Sequence, residues 1–171
     1  KEEQYKFLEE KWKLVDRIKK DSNYWSYYSR INKAVSDQIE KGVTSICSFV
    51  DVDDIATNKA YIASKEVAEH RKYEVNLITA MQTLKGVLDP NLQTIMHNAA
   101  SSVNIIGSLP GGDKGKEDEH IDWIMNAAKR YKKRVHVHVD QLNTPKEKET
   151  EWLARKTIEH GLEGKVTAVH S

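Results

Sequence analysis

Cysteine, proline and long apolar runs are scarce in this sequence. The single cysteine, Cys47, has no partner for an internal disulfide, so we expect a reducing, cytoplasmic location. It lies within an apolar segment, where we expect it to act as a small, buried hydrophobic side chain. The longest apolar segments, around Ile46 and Ile105, are far shorter than the roughly 20 residues that a membrane-spanning helix requires. No membrane partner is therefore expected.

An excess of charge of one sign is also lacking. The chain has 27 Lys and Arg residues against 26 Asp and Glu residues, which leaves a net charge of +1. Binding to a phosphate backbone or to an anionic membrane needs a clustered basic surface, so no nucleic-acid partner is expected. With 39% hydrophobic and 31% charged residues, the composition is typical of a globular protein, and 171 residues suffice for one domain.

Neither end of the sequence has the character of a natural terminus. The first residue is Lys1 rather than methionine and falls inside a helical pattern, while Ser171 directly follows an apolar, strand-like run. We therefore expect a piece of a longer chain. Residues 1–171 are interpreted as part of one domain, with two leading helices in 1–41 and βα repeats in 42–171.

Five short segments rich in Val, Ile and Thr predict β-strands. Their starts are about 30 residues apart with helical patterns between them, which indicates a parallel sheet built from βα units. Two helices are predicted ahead of the first strand, and Gly42 is expected to end the second of them. The predicted strands are residues 43–52, 75–81, 103–107, 135–140 and 166–170, and the leading helices are residues 3–19 and 27–41.

This pattern leaves two architectures open. One is a complete, doubly wound open sheet, and the other is part of an eight-stranded barrel, for which about 250 residues is typical. In both architectures, functional residues gather at the carboxyl ends of the parallel strands. The chemistry of those ends therefore has to decide between them.

Histidines and a carboxylate lie at these strand ends. His138 and His170 end the fourth and fifth predicted strands, and neutral imidazoles held rigidly and converging are what a zinc or iron site needs. Since side chains alternate along a strand, His136 and Asp140 are expected to share a face with His138. His136 lies deeper, where a core histidine is the expected interpretation. The other histidines lie on or beside helices, where exposure is expected; they are His70, His97, His120 and His160.

A glycine-rich segment, residues 110–116, follows the third predicted strand. It lacks the spacing and the Lys-Ser/Thr ending of a phosphate-binding P-loop. We therefore expect a loop at the rim of the fold rather than a nucleotide site.

The segments Val137–Gln141 and Val166–Ser171, which contain His138 and His170, resemble the cytosine-deaminase branch of the amidohydrolase superfamily. Two strand ends of that branch read His-Cys-Asp-Glu and Thr-Ala-Ser-His. The similar segments here are Val137-His138-Val139-Asp140-Gln141 and Val166-Thr167-Ala168-Val169-His170-Ser171. Earlier segments are similar in the same order: Gly42-Val43 leading to Phe49-Val50-Asp51-Val52, Lys85-Gly86-Val87-Leu88, and Ile106-Gly107-Ser108-Leu109-Pro110.

The resemblance implies a TIM barrel of the metal-dependent hydrolase type, represented here by about five βα units, strands two to six. It implies an amidohydrolase that acts on carbon–nitrogen bonds other than peptide bonds, with water activated by one zinc or iron ion deaminating a nitrogen heterocycle. His138 would be a metal ligand, and His170 would contact the metal or its hydroxide. The site residues that follow are His138 and His170 for metal, His170, Gln141 and Asp140 for catalysis, and Gln82 and Leu84 for substrate binding.

The sequence departs from the branch at two of these positions. Gln141 stands where the branch has a glutamate, and an amide can bond a ring edge but cannot carry a proton at pH 7. Leu84 lies nearest to the glutamine that grips the pyrimidine in the branch, with Gln82 two residues away. The substrate is therefore left open among cytosine, N-alkyl-triazine-like and cyclic-imide-like rings.

Two parts of the expected ligand set are not in residues 1–171. The branch has a His-x-His pair on its first strand and an aspartate on its eighth, and both are expected in the longer chain. Two alternatives stay open beside the enzyme interpretation. One is a non-catalytic βα domain for ligand binding or interaction, and the other is an inactive, truncated fragment, including a homo-oligomer in which edge strands of two copies pair.

Overall fold

The computed structural model describes residues 8–142 and 144–170, and the backbone alone of residues 8 and 9. The first part of the predicted leading helix lies outside these residues. The described helices are α1 (Leu8–Lys20), α2 (Tyr24–Ile39), α3 (Lys59–His70), α4 (Pro90–Ala100), α5 (Glu117–Tyr131) and α6 (Glu149–Glu159), with a short 3-10 helix at Pro110–Asp113. The described strands are β1 (Ser45–Asp51), β2 (Asn76–Gln82), β3 (Ile105–Ser108), β4 (Arg134–His138) and β5 (Val166–Val169).

The five strands form one parallel sheet in the order β1-β2-β3-β4-β5. Each strand is therefore a neighbour of the next strand in sequence. A doubly wound sheet would reverse its strand order at a switch point, and this sheet has no such reversal among the described residues. The predicted parallel sheet of consecutive barrel strands is confirmed.

Local side-chain caps begin α2 and α4, at Asn23 and Asp89. The side chain of Asn23 accepts a hydrogen bond from the backbone N–H of Ser26, so α2 begins at Tyr24, three residues earlier than the apolar pattern predicts. Gly42 follows α2 with a φ of 83°, the left-handed conformation that glycine adopts without steric cost, as the predicted helix end requires. Among the described residues, every helix is too short or too polar to span a bilayer.

The two faces of the sheet have different surroundings because side chains alternate along each strand. On one face, Val50, Met81, Ile106 and Val137 are buried in a core that they share with α5. Complete burial of such side chains contributes roughly 1.5–3 kcal/mol each. The opposite face, which we call the open face, carries Cys47, Phe49, Asp51, Gln82, His136 and His138.

Cys47 is exposed, so the prediction of a buried thiol is wrong. Its side chain alternates with the residues of β1 that the helices bury, and it therefore lies on the open face. The apolar character of the segment around it belongs to the other face of the strand.

Candidate active site

The rings of His138 and His170 lie side by side at the carboxyl ends of β4 and β5. Their centroids are 5.1 Å apart and their planes differ by 34°. Val169 is the register partner of His138, so a regular strand would turn His170 toward the opposite face. A left-handed φ of 72° at His170 ends the strand instead, and its ring lies beside His138. The structure thus brings together the two histidines predicted to share a metal.

Burial lowers the pKa of His138, and the neighbouring His170 lowers it further, while the Ser108 backbone and the Asp51 carboxylate raise it to a smaller extent. The net effect keeps the imidazole neutral near pH 7, which is the form that binds metal. The Nδ1 atom of His138 is buried and has no hydrogen-bond partner of regular geometry among the described residues. These features fit one part of a zinc or iron donor set, for which three or four protein ligands are usual.

The ring of Phe49 lies beside these histidines on the open face. Its ring centroid lies 4.4 Å from that of His138 and 6.3 Å from that of His136. A Cβ atom at Gly107 would come within 2.8 Å of the Phe49 ring and 2.4 Å of the Met81 carbonyl, so glycine is required there. Burial and Arg134 lower the pKa of His136, which is half-buried. Sequence reasoning missed Phe49, although it lies on the same face of β1 as Asp51.

Asp140 does not share the open face with His138, contrary to the prediction from strand alternation. Strand β4 ends at His138, and Asp140 has a positive φ of 50° that redirects its side chain toward the start of α6. The carboxylate accepts from Glu149 N at 3.1 Å and from the Thr150 hydroxyl, while Asp140 N donates to Glu149 Oε2 at 2.7 Å. This reciprocal pairing caps α6. The catalytic role of Asp140 stays a prediction.

Gln141 lines a separate cavity of about 390 Å³ near the carboxyl ends of β3 and β4. Leu109, Gly111 and Trp152 also line it, whereas His138, His170 and Gln82 do not. The structure therefore does not place Gln141 in the same cavity lining as the histidines, and its role beside a substrate stays a prediction.

Carboxylates of Asp140, Glu147 and Glu149 cluster at this cavity, with oxygens within 4.8 Å of one another. Burial raises the pKa of Glu149, the hydrogen bond from Asp140 N opposes this, and the charges of Asp140 and Glu147 raise it further. Glu147 accepts from the backbone N–H groups of Leu142 and Thr144. The cluster is therefore accounted for by loop closure and helix capping.

The carboxyl ends of β1 and β2 carry a second polar group of residues. Lys19, only 5% exposed, places its ammonium 2.7 Å from Asp51 and 2.6 Å from Asp53. Gln82 donates from Nε2 to Asp51 Oδ1 at 3.0 Å. Of the two predicted substrate-binding residues, Gln82 thus lies on the open face, whereas Leu84 is half-buried in the segment after β2. Sequence reasoning missed Lys19, because a helical pattern cannot connect it to Asp51, which lies 32 residues further along the chain.

His120 is fully buried, so the expectation that it is exposed is wrong. It lies in the first turn of α5, and its Nδ1 is 2.6 Å from Asp113 Oδ2. Asp113 also accepts from Val87 N at 2.6 Å. The pair therefore ties the segment after β2 to the segment after β3, where both border the candidate site.

The chain is similar in sequence to known proteins. The chain is 42% identical over 166 residues to an uncharacterized protein of Haemophilus influenzae, covering 95% of this chain and 60% of that protein. It is 25% identical over 137 residues to N-isopropylammelide isopropyl amidohydrolase of Pseudomonas sp., covering 78% of this chain and 34% of that enzyme. No protein-family profile matches the chain.

A solved structure shows the same fold. The 5-methylcytosine deaminase of Klebsiella pneumoniae, liganded with 5-fluorocytosine, superposes with a TM-score of 0.84 at 23% sequence identity. The match covers 90% of this chain and 38% of that enzyme. The predicted resemblance is therefore confirmed at the level of the fold: the structural neighbours are TIM-barrel enzymes, and this chain has the fold of a fragment of such a barrel.

Proposed function

We propose that this chain is the central part of a metal-dependent amidohydrolase that releases an amine from a nitrogen heterocycle by hydrolysis. The observation that carries the proposal is the pair of imidazoles, His138 and His170, 5.1 Å apart at neighbouring strand ends of a parallel barrel sheet. Active sites of such barrels lie at this end of the strands. The names of the relatives, a deaminase and an N-isopropylammelide hydrolase, support a carbon–nitrogen bond as the target.

The residues of this chain would divide the work as follows. His138 and His170 would hold one zinc or iron ion together with ligands from outside the described residues. When bound, such an ion lowers the pKa of water so that hydroxide is available near neutral pH. His138 is prepared for this role because burial keeps it neutral. Exposed His170 is placed to hydrogen-bond charge that develops on the attacked carbon.

Substrate contacts would come from the other strand ends. Phe49 offers an aromatic surface next to His138 on which a flat ring can lie. Gln82 offers an amide at the end of β2, where it can bond a ring edge. Gln141 would contribute only where the ring reaches the cavity that Gln141 lines with Leu109 and Trp152. There its amide would hydrogen-bond the ring, since an amide does not transfer a proton at neutral pH.

The test uses the complete product of the gene, because the chain spans only 60% of its Haemophilus relative. Release of ammonia or alkylamine is measured with cytosine, 5-methylcytosine and N-isopropylammelide, alongside the zinc and iron content per chain. Turnover of at least one ring, lost after chelation and restored by metal, would support the proposal. A folded protein that contains no metal and turns over none of these rings would contradict it and favour a non-catalytic ligand-binding domain.

A further inference from the structure

A chain of polar contacts begins at Lys19 in the last turn of α1 and ends on the open face. Lys19 Nζ lies 2.7 Å from Asp51 Oδ2 and 2.6 Å from Asp53 Oδ2, and its side chain is 6% exposed. Asp51 uses its other oxygen, Oδ1, to accept from Gln82 Nε2 at 3.0 Å. Asp51 and Gln82 are register partners that end β1 and β2. A helix is therefore connected, through one carboxylate, to an amide on the open face.

The first links of this chain are fixed by charge and burial. Burial lowers the pKa of Lys19, but Asp51 and Asp53 outweigh it, so the pKa is raised and the ammonium stays charged at neutral pH. Asp53 is 0% exposed and accepts from the backbone N–H groups of Ile55 and Ala56, which holds its carboxylate independently of Asp51. Asp53 thus anchors Lys19, and Lys19 in turn holds the more exposed Asp51.

The direction of the Gln82 amide follows from elementary hydrogen-bond chemistry. An ionised carboxylate only accepts, so the amide must turn its NH₂ group toward Asp51 and its Oε1 away from it. No donor from the described residues reaches Oε1. Gln82 lies on the open face with His138. Phe49, on the same face as Asp51, has its ring centroid 4.4 Å from that of His138. The structure thus presents an acceptor without a donor on the face that carries the histidines.

We propose that Lys19 is a positioning residue, which acts through Asp51 to fix the Gln82 amide so that Oε1 accepts a hydrogen bond from an N–H group of the heterocyclic substrate. This inference rests on the proposed function and adds to it the polarity of one ring edge. A ring that presents an N–H group to the ends of β1 and β2 is accepted. A ring that presents a lone pair there meets Oε1 with the wrong polarity and is rejected.

The competing explanation is that Lys19 only fastens α1 to the sheet. In that case its loss would weaken the fold without any dependence on Gln82. Two measurements on the complete gene product distinguish these roles: one needs no turnover, and the other is a double-mutant cycle.

The first measurement is the NMR signal of the Gln82 side-chain NH₂ group in the ligand-free protein, identified by its loss in Gln82→Met. We expect a shifted, slowly exchanging proton in the wild type and in Lys19→Arg, which keeps the charge. In Lys19→Met the signal should move to the position of a freely rotating amide. If Lys19→Met does not fold, Asp51→Asn replaces it, since an asparagine can donate or accept and no longer dictates the direction of Gln82. Unchanged Gln82 signals in the folded variant would overturn the inference.

The second measurement is the steady-state kinetics of amine release from the ring that the complete gene product turns over. Lys19→Met should raise KM roughly tenfold, the effect of about one hydrogen bond, with kcat within about threefold of the wild type. In a Gln82→Met background the same substitution should have no further effect on KM. Equal effects in both backgrounds would show a purely structural role and overturn the inference. If no ring is turned over, the proposed function fails, and the NMR measurement still decides how Gln82 is held.

Discussion

The carboxyl ends of β1 and β4 differ in how completely their polar groups are partnered. At β1, Lys19, Asp51 and Asp53 form ion pairs of 2.6–2.7 Å, and Asp51 also holds Gln82. At β4, the buried Nδ1 of His138 has no regular partner among the described residues, and the backbone takes a positive φ at His170, which follows the neighbouring strand β5.

This difference separates what the chain organises by itself from what a ligand would complete. Unpaired buried polar atoms and strained backbone each cost on the order of 1–3 kcal/mol, and they persist where function requires them. We call the carboxyl end of β1 the paired end and the carboxyl end of β4 the histidine end. The paired end is held in place by its own ion pairs, and chemistry would occur at the histidine end.

The largest effect is expected from the loss of His138 at the histidine end. In the complete gene product, His138→Ala should lower the rate of amine release on the order of 10³-fold or more, because under the proposed function it would remove a metal ligand and with it the activation of water. Zinc and iron content should fall with it, while the free energy of unfolding of the metal-free protein changes little. The measurements are elemental analysis, amine release and urea unfolding.

His136→Ala is the matched control, since His136 occupies the same strand face one pleat deeper. It should keep its metal. Equal metal content in His138→Ala and the wild type would remove His138 from the ligand set and contradict the comparison.

The next largest effect is expected from the loss of Lys19 at the paired end. Lys19→Met leaves the buried carboxylate of Asp53 without its cation, and removing one partner of a buried pair costs about 3–5 kcal/mol. We expect the lower value, about 3 kcal/mol, because two backbone N–H groups still hold Asp53. Urea unfolding measures it.

Lys33→Met serves as the control, because Lys33 pairs with Asp37 at 3.0 Å with side chains that are 76% and 45% exposed. Such a surface pair contributes about 0.5 kcal/mol or less. Similar losses of unfolding free energy in Lys19→Met and Lys33→Met would mean that the ion pairs at β1 are no stronger than an ordinary surface pair.

The strands and their parallel arrangement were predictable from the sequence because they depend on local signals. Val, Ile and Thr at about 30-residue spacing predict the strands, and their bounds differ from the structure by only a few residues at each end. The pairing of His138 with His170 was predictable only in part. Parallel strands bring their carboxyl ends to one edge, but a positive φ at His170, which strand alternation does not anticipate, places its ring beside His138.

The remaining residues of the site depend on features that are not local. Asp140 leaves the open face because its φ is positive, which alternation along a strand does not anticipate. Lys19 finds its partners 32 and 34 residues away, at Asp51 and Asp53. His120 is buried by Asp113 and by the segment after β2, although it follows three acidic residues that suggest a solvated helix start.

A smaller effect would sharpen the comparison on the β4 side. Gln141→Glu restores a carboxylic acid where the amide can only hydrogen-bond, so selectivity should move toward cytosine-like rings. We expect about a tenfold gain in relative kcat/KM, below the usual range for general-acid catalysis because Gln141 lines a cavity apart from the histidines. The gain should increase as pH falls and the acid becomes protonated. Identical substrate profiles for the two proteins would remove Gln141 from the active site.

The smallest effect is the pH dependence of the paired end. Burial raises the pKa of Asp53, but Lys19 and the backbone N–H of Ala56 outweigh it, so the folded-state pKa lies below the ordinary value of 3.8. Near and below that value the unfolded chain binds the proton more readily than the folded chain, and stability is lost as pH falls through the folded-state pKa. Above it the contribution of Asp53 is fully present. The free-energy difference between the wild type and Asp53→Asn should therefore stay constant from neutral pH to about pH 5 and narrow below about pH 4, by about 1.4 kcal/mol for each unit of pKa depression. Urea unfolding between pH 7 and pH 3 measures this, and a difference that stays constant down to pH 3 would show that the Lys19 pair does not depend on the charge of Asp53.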